Sequence, residues 1–179
     1  STDAAAAENV IDATGKYLIP GLWDMHVHFL YEPKLTEHMA DLFLQYGVTS
    51  VRDTGGNLGE LVKLRERLRQ RARPTPRVYF SGPLLDGQFP VYDGSDPTRP
   101  ALGIDVATRA AAHARVKALK AAGADLIKIY ELVQPDVYQA LVDEARRENL
   151  PIASHVPLML TADQAGPLAD SMEHLRNIE

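Results

Sequence analysis

The stretch Leu18–Phe29, "LIPGLWDMHVHF", sets His26 and His28 two residues apart in an apolar run that opens after Pro20 and Gly21. Side chains two apart on a strand point the same way, so a strand here puts Asp24, His26 and His28 on one face and Met25 and Val27 on the other. That spacing suits two nitrogens meeting one cation, and it equally suits a pair of hydrogen-bonded structural histidines. The rest of the chain has to decide between them.

Downstream, apolar runs of strand length alternate with stretches of helical period. Strands are expected near Leu22–His28, Val48–Asp53, Val78–Pro83, Leu126–Tyr130, Ile152–Val156 and Ser171–Leu175. Between them, "KLTEHMADLFLQYG" offers Leu35, Met39, Leu42 and Phe43 as one stripe and stops at Gly47. Further helices are expected over Leu58–Arg71, over Asp105–Ala122 with Asp105 as N-cap and Gly123 as stop, and from Pro135 through "QPDVYQALVDEARRENL". A shorter one is expected over Thr161–Ala169.

This alternation, without two-residue hairpin signals, predicts βα units and a parallel sheet. A doubly wound sheet normally carries a Gly-rich phosphate turn after its first strand, whereas "FLYEPKL" contains no glycine. A (β/α) barrel instead gathers its chemistry at the C-terminal ends of many strands. The polar residues gather there: Lys128 stands between Ile127 and Ile129, Tyr130 follows, His155 closes "PIASHV" and His174 lies in "SMEHL". With the isoleucines facing outer helices, Lys128 must aim inward, and an unpaired buried ammonium is costly unless neutralised, paired or modified. His38 and His113 fall within helices and read as surface residues.

Composition narrows the chemistry. The 179 residues carry a net charge of −5, 45% hydrophobic and 24% charged residues, and no cysteine, so thiolate sites and disulfides are excluded and any metal must be held by nitrogen and oxygen. One domain is the default at this length. The basic run "KLRERLRQRARPTPR" is interleaved with glutamate and reads as a helix face and end, so no nucleic-acid partner is expected. No apolar run approaches the roughly 20 residues that span a bilayer, so no membrane partner is expected either. The opening "STDAAAAEN" lacks the basic start and apolar core of a signal peptide and begins at Ser1, as a processed or engineered end would. The compartment stays open, the cytoplasm being the default and an exported form compatible.

In order along the chain, "KYLIPGLWDMHVHF", "YGVTSVRDTGG", "GADLIKIY", "PIASHV" and "SMEHL" resemble the amidohydrolase superfamily of metal-dependent hydrolases, over nearly the whole length. The resemblance implies an α/β fold, a partial (β/α)8 barrel of TIM type with about six βα strands over residues 20–179. Residues 1–19, through "NVIDATGKYLI", look like the last piece of the small flanking β-sandwich. It also implies two divalent metal ions, zinc the expected metal. His26 and His28 would bind the first, Lys128 would carry CO₂ as a bridging carbamate, and His155 and His174 would bind the second. A metal-bridging hydroxide would then attack an amide carbonyl. Lys128, His174 and Tyr130 are the expected catalytic groups.

A full barrel takes about 250 residues, and strands seven and eight with the family's strand-eight aspartate have no counterpart before Glu179. The chain is therefore expected to be a portion of a larger enzyme, to self-associate or to need its missing piece through its open sheet edges. Within the superfamily the fragments look most like the imidazolonepropionase-like and prolidase-like branch, implying a dipeptide, acylated amino acid or cyclic amide as substrate. Arg52 and Tyr130 are candidates to hold a substrate carboxylate, with a structural ion pair to Asp53 or another acid as the other reading of Arg52. The segment "LLDGQFPVYDGSDPTRPALGI" reads as a lid or as disorder, with Phe89 and Tyr92 lining the pocket or pinning the loop. Two other readings stand beside the hydrolase: a Schiff-base lyase using Lys128, and a non-catalytic fragment.

Overall fold

The structure is a computed structural model that describes residues 10–177. Eight strands among them are β1 (Leu22–Val27), β2 (Val48–Asp53), β3 (Arg77–Phe80), β4 (Leu84–Asp86), β5 (Gly103–Asp105), β6 (Ile127–Ile129), β7 (Ile152–Ser154) and β8 (Ser171–Met172). The helices are α1 (Thr36–Gln45), α2 (Leu58–Arg69), α3 (Arg109–Ala121), α4 (Pro135–Arg147) and α5 (Ala162–Ala165), the last running into a 3₁₀ turn at Gly166–Leu168. No helix among the described residues is long and apolar enough to cross a membrane.

Every strand pairing is parallel, in a sheet of order β1-β2-β3 and another of order β5-β4-β6-β7-β8. The expected strand over Val78–Pro83 ends at Phe80, and β4 starts at Leu84, inside the segment expected to be irregular. Gly82 sits at φ +77 in the left-handed region that glycine alone enters cheaply, and Pro83 has no N–H to give a ladder. Across the break, Ser81 N donates to Asp53 O and Asp125 N to Phe80 O, so β3 serves β2 while β4 serves β6. The result is a partial, unclosed (β/α) barrel of seven strands, β1 to β4 and β6 to β8, with β5 added beside β4.

Several other expectations need correction. The supposedly irregular segment after β4 returns as β5, paired Leu84 to Gly103 and Asp86 to Asp105, three residues being too few to show a period in sequence. Asp105 therefore ends a strand, and the α3 cap is Thr108, whose side chain accepts from Ala111 N at 3.1 Å. Residues 10–21 form no helix or strand, and the expected sandwich remnant over 1–19 falls partly outside the described residues.

Two apolar clusters cover the outer side of the strands. Val27, Phe29, Val51, Leu61, Leu64 and Phe80 pack around α2, while Val116, Ile127, Ile129, Tyr138, Leu141 and Ile152 pack around α3 and α4. Ile127 and Ile129 thus face the helices, as their alternation with Lys128 requires, and Lys128 is fully buried on the inner side.

Candidate functional site

A cavity of about 240 Å³ opens at the C-terminal ends of the strands, lined by His26, His28, Lys128, Tyr130, His155 and His174. All five expected metal-binding side chains and Tyr130 therefore border one space. A larger cleft of about 510 Å³ lies outside, against Leu58, Ile104 and Leu119, but it contains no imidazole or carboxylate. Chemistry belongs to the smaller one.

Strand geometry delivers the first pair with one exception to expectation. The β1–β2 register shifts between Asp24 and Val27, and Asp24 leaves the histidine face to line a separate cleft with Met39, Phe43 and Tyr46. A bulge of this kind re-aims side chains that strict alternation would align. The His26 and His28 ring centroids stand 5.2 Å apart, with His174 4.6 Å from His26 and 4.9 Å from His155. His174 holds φ +66, a conformation that strains a non-glycine residue by about 1–3 kcal/mol and is characteristic of sites where the surroundings dictate the backbone.

Three of the imidazoles are gripped through Nδ1. His26 Nδ1 lies 2.5 Å from Glu173 Oε2, His28 Nδ1 3.0 Å from Gly55 O, and His155 Nδ1 3.2 Å from Glu131 Oε1. Oxygen partners of this kind fix ring orientation and leave the second nitrogen for a ligand. Asp53 supports the grip on His28: its Oδ2 accepts from Phe29 N at 2.7 Å and its Oδ1 from Gly55 N at 3.0 Å. A Cβ at Gly55 would stand 3.0 Å from His28 Cε1 and 2.8 Å from Leu84 Cδ2, so any other residue here would press on the ring and displace the Leu84 side chain.

Arg52 resolves to its structural reading, with a different acid from Asp53. It donates to Met25 O, Ser171 Oγ and Glu173 Oε1, and it joins the β1, β2 and β8 segments through the buried Glu173. Burial pushes the Glu173 carboxyl up, but His26, Ser171, Lys128 and Arg52 together hold it down at about 2. His113 is also corrected: it is half-buried, with Nδ1 2.6 Å from the buried Glu144 of α4, whereas His38 is exposed as expected. Phe89 is 77% exposed and pins nothing, while Tyr92 borders the cavity.

Lys128 Nζ is buried without a hydrogen-bond partner. Burial, against the pull of Glu173 and Glu131, brings its pKa down to about 7. Burial likewise lowers His28 and His174, and lowers His155 to about 3 with help from Lys128, so these rings stay neutral, the form that ligates metal. Burial with the Glu131 charge raises Tyr130 to about 12, keeping its phenol a donor. Among the described residues no three or more histidine and acidic side chains already stand at ligating positions for one ion.

Glu173, Glu131 and Gly55 carry no role in the sequence pattern, and Asp53 enters there only as a possible partner of Arg52. Each sits one to two residues from a residue that the pattern singles out, or inside "VRDTGG", and that adjacency at strand ends is the available signal.

Burial also bears on stability. The Asp53 carboxyl is pushed up to about 7, the Phe29 and Gly55 N–H groups only partly opposing this, against about 3.9 for a free aspartate. With the folded value raised, its contribution is whole below about pH 4 and is lost as pH rises through about 7. Asp53→Asn in the full chain is expected to flatten that loss, and Asp53→Ala to cost about 2–3 kcal/mol through two orphaned N–H groups. Urea denaturation of wild type and both variants at pH 4.5 and 7.5 checks this, and identical pH slopes for wild type and Asp53→Asn would refute the titration.

Parallel βα units that set imidazoles, a buried amine and their carboxylate partners around one cavity at the strand ends make the kind of site in which hydrolytic enzymes of this fold class work. Sequence comparison makes it specific: residues 17–174 match the amidohydrolase family model, and the chain belongs to that family. It is 41% identical over 49 residues, 27% of its length, to an adenine deaminase of Clostridium perfringens, covering 9% of that protein. Its fold resembles a Xaa-Pro dipeptidase solved with methionine in the active site, at TM-score 0.71 and 22% identity over 87% of this chain and 48% of that one. It likewise resembles the bottromycin amidohydrolase, at TM-score 0.70 and 27% identity over 87% of this chain and 32% of that one. The chain thus spans half or less of each of these relatives. Members of the family generally use divalent ions, and the donors here suit such ions: neutral imidazoles, nitrogen and oxygen only, and a buried amine with no partner of its own.

Proposed function

We propose that this chain carries the metal-holding face of a hydrolase acting on a small amide, of the dipeptide, acylated amino acid or cyclic amide kind. His26 and His28 would hold one divalent ion, His155 and His174 a second, and Lys128, as a carbamate, would serve both. When bound, the ions supply an activated water and a polarised carbonyl. The single observation that carries the reading is the lone Lys128 amine, buried within a ring of imidazoles.

The residues divide the work. A neutral amine can attack CO₂, forming the N–C bond and releasing one proton, and the product is an anionic oxygen donor in place of a buried cation. Glu173, Gly55 and Glu131 keep His26, His28 and His155 oriented. The Tyr130 phenol, 4.4 Å from His155 between ring centroids, donates to the oxygen on which charge develops.

Full-length protein prepared with zinc and bicarbonate is expected to release amine from a dipeptide or N-acyl amino acid panel, with kcat/KM on the order of 10⁴ M⁻¹s⁻¹ for its best substrate. Chelation should abolish turnover and zinc should restore it. Turnover that survives chelation, or a borohydride-trapped adduct on Lys128 with a carbonyl compound, would instead establish Schiff-base chemistry.

A further inference from the structure

The cavity mouth is a closed circuit of seven rings. His26 to His28 spans 5.2 Å, His28 to Tyr31 6.4 Å, Tyr31 to Tyr92 6.5 Å, Tyr92 to Tyr130 6.0 Å, Tyr130 to His155 4.4 Å, His155 to His174 4.9 Å and His174 back to His26 4.6 Å, all between centroids. One arc is imidazole and chemically reactive. The other is three phenols, and the amidohydrolase reading gives it no task beyond the single Tyr130 hydroxyl.

The phenol arc and the wall behind it consist of Tyr31, Leu84, Tyr92, Leu102 and Tyr130. No charged side chain lines that side. Arg99 lies 5.9 Å from the Tyr92 centroid, half exposed beside Asp96, and Arg176 lies 3.3 Å from Glu131 behind Tyr130, and neither guanidinium borders the cavity. A charged group placed there would be stripped of water against a wall that offers no opposite charge, Glu131, Asp86 and Arg176 all lying behind it, whereas an apolar or aromatic group meets ring faces and edges.

The wall is fixed rather than a loose lid. The buried Asp86 carboxylate accepts from Gly87 N and Val91 N at 2.9 Å and from Leu132 N at 2.7 Å, so one side chain ties the Tyr92 loop to the segment that follows Tyr130. Tyr92 O accepts from both Leu102 N and Gly103 N, and Tyr130 N donates to Leu85 O. Tyr92 and Tyr130 are therefore held by β4 and β5, the strands that the sequence had hidden inside an apparent loop.

We infer that Tyr31, Tyr92 and Tyr130 form the pocket for the substrate's side chain, and that this pocket takes one uncharged, ring-sized apolar or aromatic group and rejects charged ones. The inference rests on the amidohydrolase reading for which bond is cleaved, but the pocket's preference is measurable without cleavage. Titration calorimetry on metal-free, full-length protein with N-acetyl-L-phenylalanine, N-acetyl-L-lysine and N-acetyl-L-glutamate is expected to give at least a tenfold tighter Kd for the phenyl ligand. Tyr92→Ala and Tyr31→Ala should each shrink that gap to threefold or less, while Tyr92→Phe keeps it, so a general folding defect is distinguished from loss of the wall.

In zinc-loaded protein the same preference should recur as a KM difference between phenylalanyl and glutamyl amides, at similar kcat. Equal Kd values, a preference for either charged ligand, or a gap unmoved by Tyr92→Ala would overturn the inference. Selective binding without hydrolysis would leave the pocket standing and remove the amidohydrolase reading. Hydrolysis without selectivity would do the reverse.

Discussion

Lys128→Ala in the full-length protein is expected to bind at least one zinc ion fewer per chain than wild type and yet to leave the fold as stable as wild type or more so. The two effects run in opposite directions for one reason. An amine that is buried with no hydrogen-bond partner weighs against folding, so its removal relieves a desolvation cost. The same removal takes away the anionic donor that both ions would share. Amide hydrolysis should fall well beyond the roughly 100-fold that loss of an outer orienting partner brings. Zinc content by atomic emission, set beside urea denaturation of the metal-free proteins, separates these outcomes. Wild-type zinc content in Lys128→Ala would remove the carbamate from the account.

Glu173→Ala has the largest expected effect on folding. Glu173 is 7% exposed and faces Arg52, itself 13% exposed, together with the His26 ring. Removing the carboxylate strands a buried guanidinium, which costs about 3–5 kcal/mol where such pairs have been broken. It also frees the His26 ring to turn, and zinc affinity should drop about 10–100-fold. Because the folded carboxyl is held at about 2, below the roughly 4.3 of a free glutamate, its stabilisation is whole above pH 4.3 and is lost as pH falls toward 2. Glu173→Gln, which keeps the shape and loses the charge, should fall between wild type and Ala. A loss under 1 kcal/mol in Glu173→Ala would mean that Arg52 finds other partners and that the β1–β8 link is not electrostatic.

Periodicity carried the reading where packing is one-sided and long. Ile127, Lys128 and Ile129 alternate because helices cover one side and a cavity the other, and that pattern was visible in three letters of sequence. It failed where local geometry departs from the ideal. The β1 register shift takes Asp24 off the histidine face, and Gly82-Pro83 ends the expected strand at Phe80, so that β4 begins in the segment read as a loop. Glu173 was overlooked for another reason. Its partner His26 is 147 residues away, and no spacing rule relates them, since β1 and β8 belong to different sheets that only the fold brings together. The histidines could be found from strand ends. The carboxylates that aim them required the fold.

The central claim is that His26, His28, Lys128, His155 and His174 share one pair of cations. The most direct test is a crystal structure of the full-length protein grown with zinc and bicarbonate, with diffraction recorded on both sides of the zinc absorption edge. Two anomalous peaks are expected among these five side chains, with carboxylate density extending from Lys128 Nζ toward them. A bare Lys128 amine and no anomalous peak among the four imidazoles would contradict it.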